Sequence, residues 1–346
     1  MSHASNHLRF GIEVEFLLSP REAHTFKDIG EFANFVLAFY KSKKDKSWPN
    51  MHVDLDGSYE GDNDTIEWSL SDDASIKHDK EYPIELISPI LHFKQGDHFR
   101  DYVKGVWDRI VTLCIVGTNN SCGTHVHVSP SDDYTSAQVK AVARAVLYFE
   151  STINALVPAH RLANEYCKSF FASNEKFKGK TVEQAIAIVD KVDESHPAMV
   201  AELMNPDRYY TWNFTNLYHG RTLTIEFRQG EGVATSTDAL AWAEFVVTFI
   251  GAAITAANTY NDLKKFDPNV GGLKKFLEHG AVKDVSDKTL LGKITGRAKD
   301  SGSVSGSDPG KLSKEREDKL AKKKKEDDRK QIFAKKMTED EKKRKK

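Results

Sequence analysis

Apolar and polar positions alternate with a period of two over residues 10–18. Ile12, Val14 and Phe16 fall on one face of that segment, and Glu13 and Glu15 on the other. Such alternation predicts a half-buried strand. A helical spacing follows over 29–41, with Phe32, Phe35, Val36 and Phe39 in one stripe. Residues 54–58 read as a turn, followed by an acidic loop and a short alternating segment at 65–70. A strand is predicted over 81–91, bounded by Pro83 and Pro89, then a helix over 99–116. A turn at 117–123 leads into a strand at 124–128. Residues 136–157 predict a long amphipathic helix stopped by Pro158. Residues 159–205 are mixed and mostly helical, an insertion or lid. Two strands, 209–217 and 221–228, are expected to join through His219 and Gly220.

The most apolar stretch, 239–257, is rich in Ala and Thr and contains Glu244. A membrane span needs about 20 strongly apolar residues, so 237–259 reads as a buried core helix. Weak helical pattern runs on to Ile294. Beyond it the chain turns Gly/Ser-rich and then becomes a Lys/Glu/Asp run without an apolar stripe, a disordered or solvated segment. The expected organisation is a catalytic domain over 1–296 and a charged tail over 297–346.

Charge changes this picture more than composition does. The 346 residues carry a formal net charge of −1, but 297–346 hold 19 Lys and Arg against 11 Asp and Glu, a net of +8. The remaining 296 residues therefore carry −9. An acidic body argues against a nucleic-acid-binding surface on the fold, although the tail has the charge to touch polyanions. The terminal Lys-Lys-Arg-Lys-Lys reads either as a solubilising run or as a nuclear signal. Cys114, Cys122 and Cys167 form no CxxC pair, which excludes a disulfide framework or structural zinc as the main source of stability. A reducing, cytoplasmic setting follows, since the N-terminal segment lacks the apolar run of a secretory signal.

Three strands share an unusual feature: ligating or ionisable residues two apart, with aliphatic neighbours between them. They are Glu13 and Glu15, His125 and His127, and Glu226 and Arg228. Residues i and i+2 lie on one face of a strand. A fourth strand offers Glu85 between Ile84 and Leu86. Each pair alone reads as the solvent face of a half-buried strand. Together the four faces hold four Glu, two His and one Arg, a crowding of like charges that is costly unless a cation sits between them. Hard oxygen donors select Mg²⁺ or Mn²⁺, and an Arg on the same face would meet an anion bound by such ions.

The set GIEVEF, Asp56-Gly57-Ser58, ELISPIL, CGTHVHVS and TIEFRQ, in that order, resembles the amidoligase family of the glutamine synthetase-like carboxylate–amine ligase superfamily. The resemblance covers residues 8–257. It implies an α+β fold, a curved antiparallel sheet of glutamine synthetase-like catalytic type flanked by helices, with ATP and Mg²⁺ against its concave face. It further implies Glu13, Glu15, Glu85, His125 and Glu226 as metal ligands, and His127 and Ser58 as nucleotide contacts. Arg228 becomes the residue that steadies the transferred phosphoryl group, with Glu226 beside it. Arg161, Asn164, Arg208 and Asn213 resemble recurring positions, with salt-bridge or capping roles equally open.

The function so implied is ATP- and Mg-dependent amide formation through an acyl phosphate. It joins a small-molecule or peptide carboxylate to an amine donor, with no nucleic acid or membrane as partner of the body. Two rivals stay open: a kinase-like phosphoryl transfer on the same scaffold, and a non-catalytic nucleotide-binding member. Oligomeric state is not readable from the sequence.

Overall fold

The computed structural model describes residues 7–44, 46–57, 59, 66–162, 164–193, 195–219, 223–297, 321, 322, 324 and 325. Its first half runs β1 (Leu8–Pro20), α1 (Ile29–Lys43), β2 (Met51–Asp54), β3 (Trp68–Ser71), β4 (Tyr82–Ile87), β5 (Leu91–Phe93), α2 (Phe99–Leu113), β6 (Cys114–Gly117), β7 (Gly123–Pro130) and α3 (Ser136–Asn154). Four short helices follow: α4 (Ala159–Leu162), α5 (Phe170–Ser173), α6 (Val182–Asp190) and α7 (Pro197–Met204). The remainder is β8 (Trp212–Asn213), α8 (Asn216–His219), β9 (Ile225–Glu231), α9 (Ser236–Ala256), α10 (Tyr260–Leu263), α11 (Val270–Leu277) and α12 (Lys288–Thr295).

The strands form one nine-stranded sheet, ordered β2-β3-β4-β1-β7-β9-β8, with β5 and β6 completing the edges of β1. The 13-residue β1 is the spine. One edge pairs with β5 and then β4, the other with β7 and then β6. The expected purely antiparallel sheet is corrected by β2, which runs parallel to β3. The connection 55–67 has the dozen or so residues that a return to the same end of the sheet requires.

One face of the sheet (Ile12, Val14, Phe16, Ile84, Leu86, Val126, Val128, Ile225 and Phe227) is buried in a single apolar core with the helices. Helix α9 lies against β1 and β7 and contacts α2, α3, α11 and α12. By length and composition α9 would cross a membrane, but 78% of its apolar window is buried inside the protein. The turn after α11 meets α9 so closely that a Cβ on Gly280 would lie 1.9 Å from the Thr248 carbonyl oxygen. No side chain fits there.

Several elements depart from the sequence reading. The 99–116 helix ends at Leu113, and Cys114–Gly117 pairs with Leu17–Pro20, where β-branched Ile115 and Val116 suit a strand. The 81–91 segment divides into β4 and β5. Between them Ser88 exchanges hydrogen bonds with Ile12, its hydroxyl accepting from the Ile12 N–H at 2.9 Å. The 209–217 strand shrinks to Trp212–Asn213, because the Asn213 side chain accepts from the Thr215 N–H at 2.8 Å and turns the chain into α8. Helix α3 is not amphipathic. It is buried nearly all round, and even Lys140 and Arg144 are covered as they reach Asp190 on α6. The short strand β2 had no counterpart in the pattern. The predicted tail, apart from Arg297 and residues 321, 322, 324 and 325, lies outside the described residues, as does Ser58.

Candidate active site

Strand register assembles the site. In the ladders of β1, Glu13 stands opposite His125 of β7, and Glu15 opposite Glu85 of β4. His127 stands opposite Glu226 of β9, which in turn faces Asn213 of β8. Cross-strand neighbours share a face, so β4, β1, β7 and β9 bring Glu85, Glu15, Glu13, His125, His127, Glu226 and Arg228 together. A bulge adds a residue to β9: Thr124 pairs with Gly230, but Val126 pairs with Phe227. At the bulge a Cβ on Gly230 would sit 2.7 Å from the Thr124 carbonyl oxygen. Only glycine admits that approach.

This face is not a solvent face. Glu15 is 4% exposed, His125 5%, Glu226 3% and Arg228 6%, and Glu85 is buried beside them. Glu13 receives both imidazoles, His127 Nε2 at 3.0 Å from Oε1 and His125 Nδ1 at 3.2 Å from Oε2. His125 Nδ1 also lies 3.7 Å from Glu226 Oε1, and its Nε2 lies 3.9 Å from Glu15 Oε1. Glu226 pairs with the Arg228 guanidinium through Oε1 and accepts from Asn213 Nδ2 at 2.8 Å through Oε2. Glu15 accepts from the Gly123 N–H at 2.6 Å. Arg228 is steadied further by donating from Nε to the Tyr166 carbonyl at 3.2 Å.

Two sets of ligand atoms lie within 4.8 Å of one another: Glu13, His125 and Glu226, and Glu15, Glu85 and His125. His125 belongs to both. Carboxylates crowded into a buried space around an imidazole suit a hard divalent cation, and no thiolate is among them. Two cavities flank these sets. One of about 430 Å³ borders Glu13 and His127 and is walled by Arg9, Gly11, Ile90 and Leu223; the other, about 20 Å³, lies on the Glu15 side against Arg161, Tyr166, Arg208 and Arg228.

A family model described as "Putative amidoligase enzyme" matches residues 6–250. The chain belongs to the amidoligase family. No match is found among curated proteins. A solved bifunctional glutathione synthetase from Pasteurella multocida is 12% identical with a TM-score of 0.37, the likeness covering 86% of this chain and 47% of that one. The chain thus spans about half the length of that structure.

Charge is divided unevenly across the amidoligase site. Burial alone would raise the Glu226 carboxyl, but Arg228 beside it and His127 outweigh burial and bring it down to about 2. Glu13 is likewise held well below the usual carboxylate range, burial being overcome by His127 and His125. His127, against its burial, is pushed up to about 9 by Glu13 and Glu226, so it is a cation at neutral pH. Glu15 goes the other way: burial, reinforced by Asp73, raises it despite His125 and Arg161. Burial also lifts the thiols of Cys114 and Cys122 to about 12, and raises that of Cys167. None of the three is poised as a nucleophile.

Glu13, Glu15, Glu85, His125, His127, Glu226 and Arg228 all converge on this face. Of the four further positions, Asn213 anchors Glu226, Arg161 and Arg208 line the smaller cavity, and Asn164 caps its own turn by accepting from the Tyr166 N–H at 2.8 Å. Sequence reasoning missed Asp73, Tyr166, Tyr209 and Thr224. Thr224, whose hydroxyl lies 3.1 Å from His127 Nδ1, sits two residues before Glu226 and carried the same i, i+2 signal. Tyr166 contributes its backbone carbonyl, which no sequence pattern marks.

Proposed function

We propose that this amidoligase is an ATP- and Mg²⁺-dependent carboxylate–amine ligase on a glutamine synthetase-like catalytic fold, acting through an acyl phosphate. The observation that carries the reading is the convergence of Glu13, Glu15, Glu85, His125 and Glu226 in two overlapping ligand sets, with Arg228 on the same buried face. These five residues would hold the metal, Mg²⁺ or Mn²⁺. When bound, it would neutralise phosphate oxygens so that an anionic carboxylate can approach.

A carboxylate has no leaving group. Its oxygen attacks the γ-phosphorus, the bond to the β,γ-bridging oxygen breaks, and ADP leaves an acyl phosphate. The amine adds to the acyl carbon, loses its proton and expels inorganic phosphate, giving the amide. Arg228, aligned by Glu226 and the Tyr166 carbonyl, supplies positive charge where the phosphoryl group is in flight. His127 is suited to the nucleotide because it borders the 430 Å³ cavity, large enough for an adenosine. Ser58 is proposed to help hold the phosphates. Buried, weakly acidic cysteines suit a cytoplasmic enzyme, and the catalytic unit is taken as residues 1–296 with a helical insertion at 159–205.

The test is release of ADP by purified protein with Mg²⁺, pooled acids and pooled amines. The reading requires dependence on all three and its loss in Glu226→Gln. A stable phosphorylated product formed without amine would refute it.

A further inference from the structure

His127 is held at both ends of its ring. Nε2 lies 3.0 Å from Glu13 Oε1 and 3.6 Å from Glu226 Oε1, while Nδ1 lies 3.1 Å from the Thr224 hydroxyl. Turning the ring half-way about its Cβ–Cγ bond would set Cδ2 against that hydroxyl and Cε1 against Glu13. Neither carbon makes a comparable hydrogen bond, so what faces one nitrogen decides where the other is held. His125 needs no such partner, since carboxylates face both of its nitrogens. Thr224 is itself fixed. It is buried, and its hydroxyl accepts from Asn216 Nδ2 at 3.3 Å. A β-branched side chain is stiff at χ1, and an oxygen with two lone pairs can serve both neighbours. The backbone is bent to the same end. Leu223 has a φ of 45°, a left-handed conformation costly for leucine, and it walls the 430 Å³ cavity beside Thr224, His127 and Glu13. Such strain persists where the surrounding structure holds it in place.

We propose that Thr224, braced by Asn216, is a positioning residue that sets the His127 ring for the nucleotide. The argument rests on the reading of His127 as a nucleotide contact. Thr224 acts through the imidazole: its hydroxyl keeps Nε2 on Glu13 and so fixes which edge of the ring borders the cavity. Asn216, at the start of α8, carries that constraint from the turn after β8.

The test titrates ATP into the full chain by calorimetry with saturating Mg²⁺, and follows amine-dependent ADP release in parallel. Thr224→Val keeps the shape and removes the hydroxyl, and should weaken ATP about tenfold. Thr224→Ser should recover most of that loss, and Asn216→Ala, which leaves β9 untouched, should weaken ATP by about threefold. In a His127→Gln background neither Thr224→Val nor Asn216→Ala should have more than about a twofold effect, because both act through the ring. Serine as weak as valine would mark a packing role and overturn the proposal. So would losses that multiply in the double variants, or a His127→Gln protein that binds ATP like wild type. The expected cycle without amine-dependent ADP release would refute the ligase reading and leave the positioning role standing; turnover and ATP affinity both unmoved by Thr224→Val would do the reverse.

Discussion

Glu226→Gln and Glu15→Gln should change the stability of the metal-free protein in opposite directions. The two carboxylates lie on one face, but Glu226 is held between Arg228, Asn213 and the imidazoles, and its pKa is lowered from 4.5 to about 2. A shift of that size corresponds to roughly 3 kcal/mol of folded-state stabilisation at neutral pH. Removing one partner of a buried pair typically costs about 3–5 kcal/mol, because the other charge is stranded. Glutamine keeps an oxygen for Asn213, so the lower end applies, and at about 2–4 °C per kcal/mol the melting temperature should fall by roughly 6–12 °C. Glu15 is raised by burial and by Asp73. Glutamine relieves that penalty, can still accept from the Gly123 N–H, and should leave the melting temperature level or higher. Scanning calorimetry in EDTA at pH 7.5 measures both, and a Mg²⁺ titration should then stabilise wild type more than either variant. An unchanged or raised melting temperature for Glu226→Gln, or a clear loss for Glu15→Gln, would refute this division of charge.

The His127 pKa, raised from 6.5 to about 9, contributes stability that is complete below pH 6.5 and lost as pH rises through 9. The metal-free melting curve should show that alkaline loss, of about 3 kcal/mol, and His127→Gln should flatten it. Arg228→Lys should lower turnover by about 10²–10³ while moving ATP affinity only a few-fold, since lysine lacks the planar fork; unchanged turnover at saturation with weakened ATP binding would place Arg228 on the nucleotide instead. Gly280→Ala should destabilise by about 3 kcal/mol or more, as the added methyl meets backbone of α9, and urea unfolding midpoints would show it. Truncation after Arg297 should leave the melting temperature unchanged. Truncation after Ile294 should cost about 1–2 kcal/mol by removing buried Thr295 and the Arg297 contacts with Glu231 and the Trp242 ring.

Much of the sheet was legible because one of its faces is apolar core. Ile12-Val14-Phe16 and Val126-Val128 announced their strands, and the same alternation left Glu13, Glu15, His125, His127, Glu226 and Arg228 on the other side. What pattern does not carry is where a helix yields to a strand without glycine or proline between them. The apolar run Val111, Leu113, Cys114, Ile115, Val116 suits either state, and only pairing with Leu17–Pro20 decides it. Strands of two and four residues such as β8 and β2 offer too few positions for any period. The polar residues of α3 looked solvent-bound until α6 folded over them. Within the site, Glu85 depended on resemblance, since one glutamate between aliphatics is ambiguous. The place of Arg161 in the wall of the smaller cavity belongs wholly to three-dimensional packing.

A neutral imidazole has one lone pair, and His125 has two suitors for it. Its Nδ1 looks toward Glu13 and Glu226, and its Nε2 toward Glu15. Whichever nitrogen gives its lone pair to a cation, the other must carry the proton and become a donor to the carboxylate it faces. The two ligand sets therefore compete for a tautomer. A first cation at Glu13 and Glu226 leaves a second, at Glu15 and Glu85, with oxygen ligands alone, and filling them in the reverse order exchanges the two environments. Two ions on this face would be chemically unlike each other, one holding the imidazole and the other left with oxygens, although the sheet that holds them is built from near-repeating pairs.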